Sequence, residues 1–249
     1  MSALSFDIVV PDCVIVADLH LDGSEPSKQA FASLLDRAHE RSKQLFILGD
    51  LFHYWFGRRH VEHPMYAAEI ELLRQAVDRG LSIEIVPGNR DFLLGPTFVE
   101  KTGANVHGDM LSVQIGAEPV HLSHGDLFGT ADVRYLRMRR VLRTRMVRFL
   151  ADHLPAAVLN RIAQRLRNHS DKVVKEKSFD VLEPDLGEVA ALFGRGYETV
   201  ICGHFHRERD ERISQELGSG RFLILDPFEH QGRGLVHDGT QWSVESLVG

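Results

Sequence analysis

The sequence has few cysteines and no long apolar segment, and each absence excludes a class of protein. Only two of its 249 residues are cysteine, and both fall inside apolar runs without metal-type spacing. This pattern favours buried free thiols in a reducing compartment over a disulfide framework. No apolar run reaches the length of a membrane-spanning helix, and the amino terminus lacks the pattern of a secretory signal. We therefore expect a globular, cytoplasmic protein.

Histidine is abundant, and positive charge is concentrated in one segment. The chain has 14 histidines and a formal net charge of −6. Residues 134–177 contain 13 Lys and Arg but only three Asp and Glu, so this basic segment carries +10 and the rest of the chain −16. Such a segment predicts a surface for an anionic partner. Its basic residues alternate with aliphatic rather than aromatic side chains, so we expect no nucleic acid partner.

Alternating strands and helices are predicted for the first hundred residues. Short apolar, β-branched runs indicate three buried strands, at residues 13–17, 45–48 and 81–86. Apolar residues at helical spacing indicate two helices between them, one that begins at Pro26 and one from about Met65 to Asp78. Strand and helix in this order are typical of parallel βαβ units.

The rest of the chain is predicted to contain a hairpin at 110–122, helices in the basic segment, and a final set of strands. Apolar residues recur every three or four positions and predict a helix with an apolar stripe, formed by Tyr135, Met138, Leu142, Met146 and Phe149. A second helix is predicted through residues 158–166, and a buried strand at 199–202. Four short runs after residue 211 predict a second, antiparallel sheet.

Side chains that commonly bind metals follow five of the predicted strands. They are Asp18, His20, Asp50, Asn89, His124, His204 and His206. Because neighbouring parallel strands end at one sheet edge, we expect these residues to form one cluster. Mixed carboxylate, imidazole and amide ligands suit Mn²⁺, Fe²⁺ or Zn²⁺ better than Ca²⁺. Seven ligands are too many for one tetrahedral ion but fit two ions that share Asp50. Two such ions can stabilise both the attacking and the leaving oxygen of a phosphoryl displacement.

The order and local sequence of these residues resemble the calcineurin-like metallophosphoesterase superfamily. The matching motifs are Asp18-x-His20, Gly49-Asp50, Gly88-Asn89, His124 and Gly203-His204-x-His206. The resemblance implies an α/β fold, a four-layer αββα sandwich with a dinuclear site at one edge. It implies one ion on Asp18, His20, Asp50 and His206, and another on Asp50, Asn89, His124 and His204. It also implies that a two-metal-activated hydroxide attacks phosphorus directly.

Arg90 narrows the resemblance, because the wider superfamily usually has His at this position. Residues 17–21, 48–52 and 88–95 together resemble the UDP-2,3-diacylglucosamine hydrolase family of lipid A biosynthesis. That family uses Mn²⁺ to cleave the pyrophosphate of a nucleotide-linked acylated sugar, releasing UMP and 2,3-diacylglucosamine 1-phosphate. It carries a helical lid after its His-Gly-Asp motif. The resemblance therefore implies a single domain over 1–249 with a helical lid insertion at 131–178.

The resemblance also implies roles for individual residues. Those implied to be catalytic are Asp50, Asn89, Arg90 and His124. Those implied to bind substrate are Asn89, Arg90, Asp132, Ser170, Lys177 and His204. Arg90 and Lys177 are cations suited to a pyrophosphate, and apolar lid residues would line a slot for acyl chains. Arginines beside them would let the lid rest on an anionic bilayer, so we expect a peripheral enzyme on the inner face of the inner membrane.

Two departures from the family pattern leave other functions open. Val174 stands where the family has Asn, and residues 226–230 lack the usual glycine and aromatic pattern. One alternative is a related metallophosphoesterase acting on another phosphodiester or pyrophosphate. The other is a non-catalytic scaffold that uses the basic segment to bind membrane or nucleic acid. The complete set of metal-type ligands argues against a scaffold.

Overall fold

The structure, a computed structural model, describes residues 4–153 and 183–248. Within these ranges the chain forms twelve strands and seven α-helices. The strands are β1 (Ile8–Val10), β2 (Cys13–Val16), β3 (Gln44–Leu48), β4 (Ser82–Val86), β5 (Asn105–Val106), β6 (Met110–Ile115), β7 (Glu118–Ser123), β8 (Thr199–Cys202), β9 (Arg209–Gln215), β10 (Gly218–Ile224), β11 (Arg233–His237) and β12 (Trp242–Ser246). The helices are α1 (Glu25–Arg41), α2 (Ala67–Asp78), α3 (Pro96–Thr102), α4 (Val133–Leu142), α5 (Arg145–His153), α6 (Leu186–Gly194) and α7 (Phe228–Gln231).

The strands form two six-stranded sheets that pack face to face. Their orders are β1-β6-β7-β8-β10-β9 and β12-β11-β2-β3-β4-β5. One apolar cluster, with Ile15, Phe46, Leu122 and Ile201 among its members, fills the space between the sheets. Helices α1 and α2 cover the outer face of the second sheet and α6 that of the first, each over its own apolar cluster. The predicted four-layer αββα sandwich is confirmed.

The βαβ units form because each helix has one apolar face and clear end signals. In α1, Ser24 caps the amino terminus by accepting a hydrogen bond from the Ser27 N–H, and Pro26 lies in the first turn. Its buried face is Phe31, Leu34, Leu35 and Ala38. Burying each of the larger side chains contributes about 1.5–3 kcal/mol. Strands β2, β3 and β4 are consequently parallel, and their carboxyl ends lie at the same edge.

The prediction that the last strands form a separate antiparallel sheet is wrong. Strands β9 and β10 are antiparallel to each other, but β10 runs parallel to β8 in the first sheet. Strand β11 pairs antiparallel with β2 and brings β12 into the second sheet. Leu223 and Leu235, from different sheets, both face the core between the sheets. Apolar alternation identifies a strand but does not identify its partner.

The prediction of one helix with a continuous stripe across the start of the basic segment is also wrong. The chain forms two helices, α4 and α5, separated at Arg143 and Thr144. Tyr135 faces the body of the protein, whereas Met138, Met146 and Phe149 are exposed. The helix predicted through residues 158–166 lies outside the described residues, so the boundaries of the insertion at 131–178 stay a prediction. No helix in the described ranges has the length and apolar character required to span a bilayer.

Candidate metal centre at the sheet edge

The seven predicted ligands lie together at one edge of the sandwich. They occupy the turns that follow β2, β3, β4, β7 and β8, so both sheets contribute. Asp18, Asp50 and His124 are almost completely buried. Two groups of side chains have ligand atoms within 4.8 Å of one another: Asp18, His20 and His206 in one, and Asp18, Asp50 and His124 in the other.

Five of the seven have a left-handed backbone, which L-residues other than glycine rarely adopt. The φ angles are 53° at Asp18, 48° at His20, 48° at Asp50, 70° at His204 and 52° at His206. Within the described residues these are all of the non-glycine positions with positive φ. Strained backbone conformations persist where the surrounding structure enforces them, commonly at functional sites. This observation singles out the predicted ligands independently of their chemistry.

The glycines of the motifs are required by close packing around the ligands. A Cβ atom at Gly49 would collide with the His124 ring, and one at Gly88 with the Asp50 carboxylate. A Cβ atom at Gly203 would collide with the Asp18 carboxylate. Gly49 also has φ +81°, where any side chain is strained. The Gly-Asp, Gly-Asn and Gly-His pairs thus let the turns pack against one another.

In the first group, Asp18 offers an oxygen without a partner. Its Oδ2 accepts a hydrogen bond from the His204 N–H at 2.8 Å, but Oδ1 is buried with no hydrogen bond. The Nε2 atom of His206 lies 3.6 Å from that oxygen. A buried carboxylate oxygen without a partner costs free energy unless a cation or donor satisfies it. The residues therefore fit a bound divalent cation.

In the second group, several acceptor atoms face one another around His124. Its Nδ1 donates to the Leu48 carbonyl at 3.0 Å, which leaves Nε2 as the ligating atom. Around Nε2 lie the Asn89 Oδ1 at 2.9 Å and the His204 Nδ1 at 3.2 Å. A cation between these atoms would satisfy all of them. The donor set, carboxylate with imidazole and amide, suits a divalent transition metal.

The two aspartates lie between the groups. Asp18 belongs to both. The Asp50 Oδ2 atom is 3.3 Å from His20 Nε2, and its Oδ1 is 3.9 Å from His124 Nε2. Sharing of two ions by Asp50 stays a prediction, and this geometry is compatible with it.

The electrostatics of the site keep its carboxylates ionised. Burial favours the neutral acid, but the nearby His206 ring and the charge of His124 outweigh it and lower the pKa of Asp18. The His124 and His20 charges likewise overcome burial and lower the pKa of Asp50. Burial and the charge of His124 lower the pKa of His204 to about 4, so this ring is neutral at pH 7. Against the effect of burial, nearby carboxylates raise the pKa of His20 to about 9, through Asp50 and Glu229, and also raise that of His124. Metal binding requires anionic carboxylates and neutral imidazoles, so an ion that binds here would displace a proton from each of these two rings.

Asp91 supports the ligand turns, a role that the sequence alone did not indicate. It is fully buried, and its two carboxylate oxygens accept hydrogen bonds from the N–H groups of Leu51 and Gly88, both at 2.7 Å. One side chain thereby joins the turn that carries Asp50 to the turn that carries Asn89. Its place beside Arg90 in the motif is the only signal of this role in the sequence.

Helix α4 is attached to the site by side chains from the basic segment. Tyr135 Oη and Arg139 Nε donate to Asp126 Oδ2 at 2.5 and 2.6 Å, and Arg139 also pairs with Asp109. Arg143 pairs with Asp109 and donates to the Gly88 carbonyl at 3.0 Å. Arg139 and Arg143 therefore neutralise carboxylates of the body, so these two cations of the basic segment do not contribute to the predicted surface for an anionic partner.

The remaining predicted substrate residues differ in what the structure describes. Asp132 caps the amino terminus of α4, where its side chain accepts from the Tyr135 N–H at 3.0 Å. Ser170, Lys177 and the variant position Val174 lie outside the described residues. Their roles stay predictions.

Comparison with known proteins agrees with the motifs. A family model described as calcineurin-like phosphoesterase matches residues 13–208. A UDP-2,3-diacylglucosamine hydrolase from Pseudomonas aeruginosa is 34% identical over 91% of this chain and 95% of its own. Another of that name, from Pseudomonas syringae pv. syringae, is 33% identical over 94% and 95%. The chain belongs to the calcineurin-like phosphoesterase family.

As a calcineurin-like phosphoesterase, the protein is a metal-dependent hydrolase of phosphoric esters or pyrophosphates, and its site is of the dinuclear divalent type. The family resemblance predicted from the motifs is confirmed. A solved phosphoesterase from E. coli is 17% identical, with a TM-score of 0.49 over 95% of this chain and 93% of that one. That superposition adds nothing to the family match.

Proposed function

We propose that the protein hydrolyses the pyrophosphate of UDP-2,3-diacylglucosamine, releasing UMP and 2,3-diacylglucosamine 1-phosphate for lipid A biosynthesis. The observation that carries this proposal is the guanidinium of Arg90 at the mouth of the metal centre. Its side chain is 32% exposed, and its Nε lies 3.2 Å from Asp50 Oδ2. The relatives that bear this enzyme name match nearly the whole chain, and that supports the same substrate.

We assign two Mn²⁺ ions to the site, one on Asp18, His20, Asp50 and His206, the other on Asp50, Asn89, His124 and His204. When bound, such ions act as Lewis acids, lower the pKa of water and neutralise charge on phosphoryl oxygens. Asp50 is held in place by the Arg90 N–H, which donates to its Oδ1 at 2.9 Å. His124 is oriented by the Leu48 carbonyl.

Arg90 is suited to bind the pyrophosphate. A guanidinium offers two parallel hydrogen bonds to phosphate oxygens. Its backbone is fixed, because the Trp55 N–H donates to the Arg90 carbonyl at 2.9 Å. The partial exposure of its side chain leaves the guanidinium accessible beside the ligands. We assign Asp132, Ser170 and Lys177 to the same substrate as a prediction.

An open groove next to the site supports a lipid-linked substrate. It has a volume of about 880 Å³ and begins at Pro87, one residue before the Gly88-Asn89 turn. Its lining includes the apolar Phe92, Leu94 and Val99 and the charged Glu100, Asp109 and Arg143. Apolar pockets with a few charged groups are typical of sites for amphipathic ligands.

The outer surface of α4 and α5 supports membrane association. Met146 is 73% exposed and Phe149 61%, and Met138 and Leu150 of the same two helices are also exposed. Arg134, Arg137 and Arg140 of α4 are also exposed. Each cation near an anionic bilayer contributes about 1 kcal/mol. We propose that this surface lies on the inner face of the inner membrane.

The decisive assay measures UMP release from UDP-2,3-diacylglucosamine by purified, Mn²⁺-loaded protein, beside a simple phosphodiester. We expect rapid UMP release and slow hydrolysis of the simple ester, because Arg90 and the groove both recognise the lipid-linked substrate. Presenting the substrate in anionic vesicles should increase the rate relative to neutral vesicles. Hydrolysis of the simple ester without UMP release would favour a related phosphoesterase, and no activity with no bound metal would favour a scaffold.

Arg90→Ala is expected to lower kcat/KM for the diacyl substrate by roughly 10²-fold while two ions still bind. One charge-assisted, bidentate contact contributes about 1.5–3 kcal/mol, and each 1.36 kcal/mol is tenfold in rate. Arg79→Ala is the matched control, since Arg79 is 51% exposed on the far end of α2 and pairs with Asp36. Equal kcat/KM in the two variants would exclude Arg90 from phosphate binding.

A further inference from the structure

The tail of the chain holds a carboxylate directly behind a predicted metal ligand. His20 Nδ1 donates to Glu229 Oε1 at 2.7 Å, and the opposite ring nitrogen, Nε2, faces Asp50 at 3.3 Å. From this geometry we infer that Glu229 is a positioning residue that selects the tautomer and orientation of His20 for metal binding. The inference rests on the metal centre assigned under the proposed function.

When an ion is bound at Nε2, the geometry leaves one assignment of the two ring nitrogens of His20. A neutral imidazole carries one proton, and a carboxylate at 2.7 Å takes the nitrogen that bears it. Nδ1 is therefore the N–H, and Nε2 keeps the lone pair that ligates. Such carboxylate–histidine pairs raise the basicity of the ligating nitrogen as well as fixing the ring. Without Glu229, the His20 ring would be free to present the wrong tautomer to the site.

Glu229 is held at this position by the fold. It lies in α7, between the buried Phe228 and Gly232, which ends the helix with φ +61°. The Phe228 N–H donates to the Ala17 carbonyl at 3.0 Å, one residue before Asp18. The backbone of the tail is thus hydrogen-bonded to the same turn that carries Asp18 and His20, so Glu229 has a fixed approach to the ring.

Glu229 acts through His20 rather than as a ligand of its own. Its hydrogen bond is to Nδ1, on the side of the ring away from Asp50. Its side chain is 38% exposed, whereas those of His20 and Asp50 are 2% and 3% exposed. Among the described residues, the groups of side chains able to hold an ion include His20 but not Glu229.

The test measures Mn²⁺ binding to metal-stripped protein by titration calorimetry, without any substrate. We expect Glu229→Ala to weaken binding at one of the two sites by about 10- to 100-fold, the range for such outer partners. Glu229→Gln should lose less, because its amide oxygen still accepts from Nδ1. Glu71→Ala is the control, since Glu71 is a partly exposed glutamate on α2 that pairs with Arg74. The thermal midpoint of each variant in chelator reports whether the fold is intact.

A double-mutant cycle separates action through His20 from a general effect of charge. In a His20→Ala background, Glu229→Ala should have no further effect on Mn²⁺ affinity. If Glu229→Ala lowers the Mn²⁺ affinity in that background as much as it does in the parent, the positioning role is overturned. It is also overturned if Glu229→Ala and Glu229→Gln both bind Mn²⁺ with an affinity within threefold of the parent. If the parent itself binds no Mn²⁺, the metal centre of the proposed function fails, and the inference fails with it. If the parent binds two ions but cleaves no diacyl substrate, the inference stands and only the substrate is wrong.

Discussion

Asp50→Ala is expected to abolish hydrolysis, with a loss of at least about 10³-fold in kcat, because we assign the carboxylate to both ions and such ions supply several kcal/mol of transition-state stabilisation. The structure adds a second reason. Asp50 accepts the Arg90 N–H at 2.9 Å and lies 3.3 Å from His20 Nε2, so its removal also releases two neighbours. The loss of hydrolysis is measured as activity with saturating Mn²⁺. The loss of ions is measured by elemental analysis of the number that stay bound.

The matched control for Asp50 is Asp36→Ala. Asp36 is 58% exposed on α1 and pairs with Arg79 on the surface, so its loss should leave both readouts unchanged. If Asp50→Ala keeps activity within tenfold of the parent, the assignment of a shared ligand is refuted. If Asp50→Ala instead keeps two ions but has no activity, Asp50 is needed for the reaction and not for the binding of either ion.

Asp91→Ala is expected to lower the free energy of unfolding by about 2–4 kcal/mol, since two buried N–H groups lose their acceptor at about 1–3 kcal/mol each. The loss falls toward the lower end, because burial and the charge of Asp50 raise the pKa of Asp91 to about 6, and removing the carboxylate relieves that repulsion. Urea denaturation of metal-free protein, with an unchanged m-value, measures it. Activity should fall as well, because the turns of Asp50 and Asn89 are no longer joined.

Asp238→Ala offers a close comparison. Asp238 also accepts two backbone N–H groups, from Thr240 at 2.8 Å and Gln241 at 2.9 Å, but in an exposed turn. Water can replace it there, so we expect a loss of about 1 kcal/mol or less. If the two variants are equally destabilised, burial does not determine the contribution of Asp91.

The meeting of the candidate ligands was predictable from sequence because the ends of the strands were predictable. Asp18, Asp50 and Asn89 each follow a short apolar run, and parallel strands in βαβ units end at one edge, so their meeting required only that pattern. Helices α1 and α2 and the β6–β7 hairpin were predictable for the same reason, from local periodicity and end signals.

The roles that could not be predicted from the sequence depend on contacts between residues that are distant in sequence. Glu229 meets His20 across 209 positions, and nothing in the sequence around either residue signals the pair. Arg139 and Arg143 belong to a basic run that by composition alone suggested an external anion, and their partners Asp126 and Asp109 precede the helix. The sheet that β11 joins depends equally on a distant strand, β2.

The left-handed backbone at the five ligands has a consequence for how the chain can vary. Each such residue costs roughly 1–2 kcal/mol relative to an ordinary conformation, somewhat less for aspartate, whether or not an ion is bound. Glycine at any of these positions would relieve this backbone cost, yet would remove a candidate ligand and the contacts that it makes. Selection for stability and selection for catalysis therefore oppose each other at Asp18, His20, Asp50, His204 and His206.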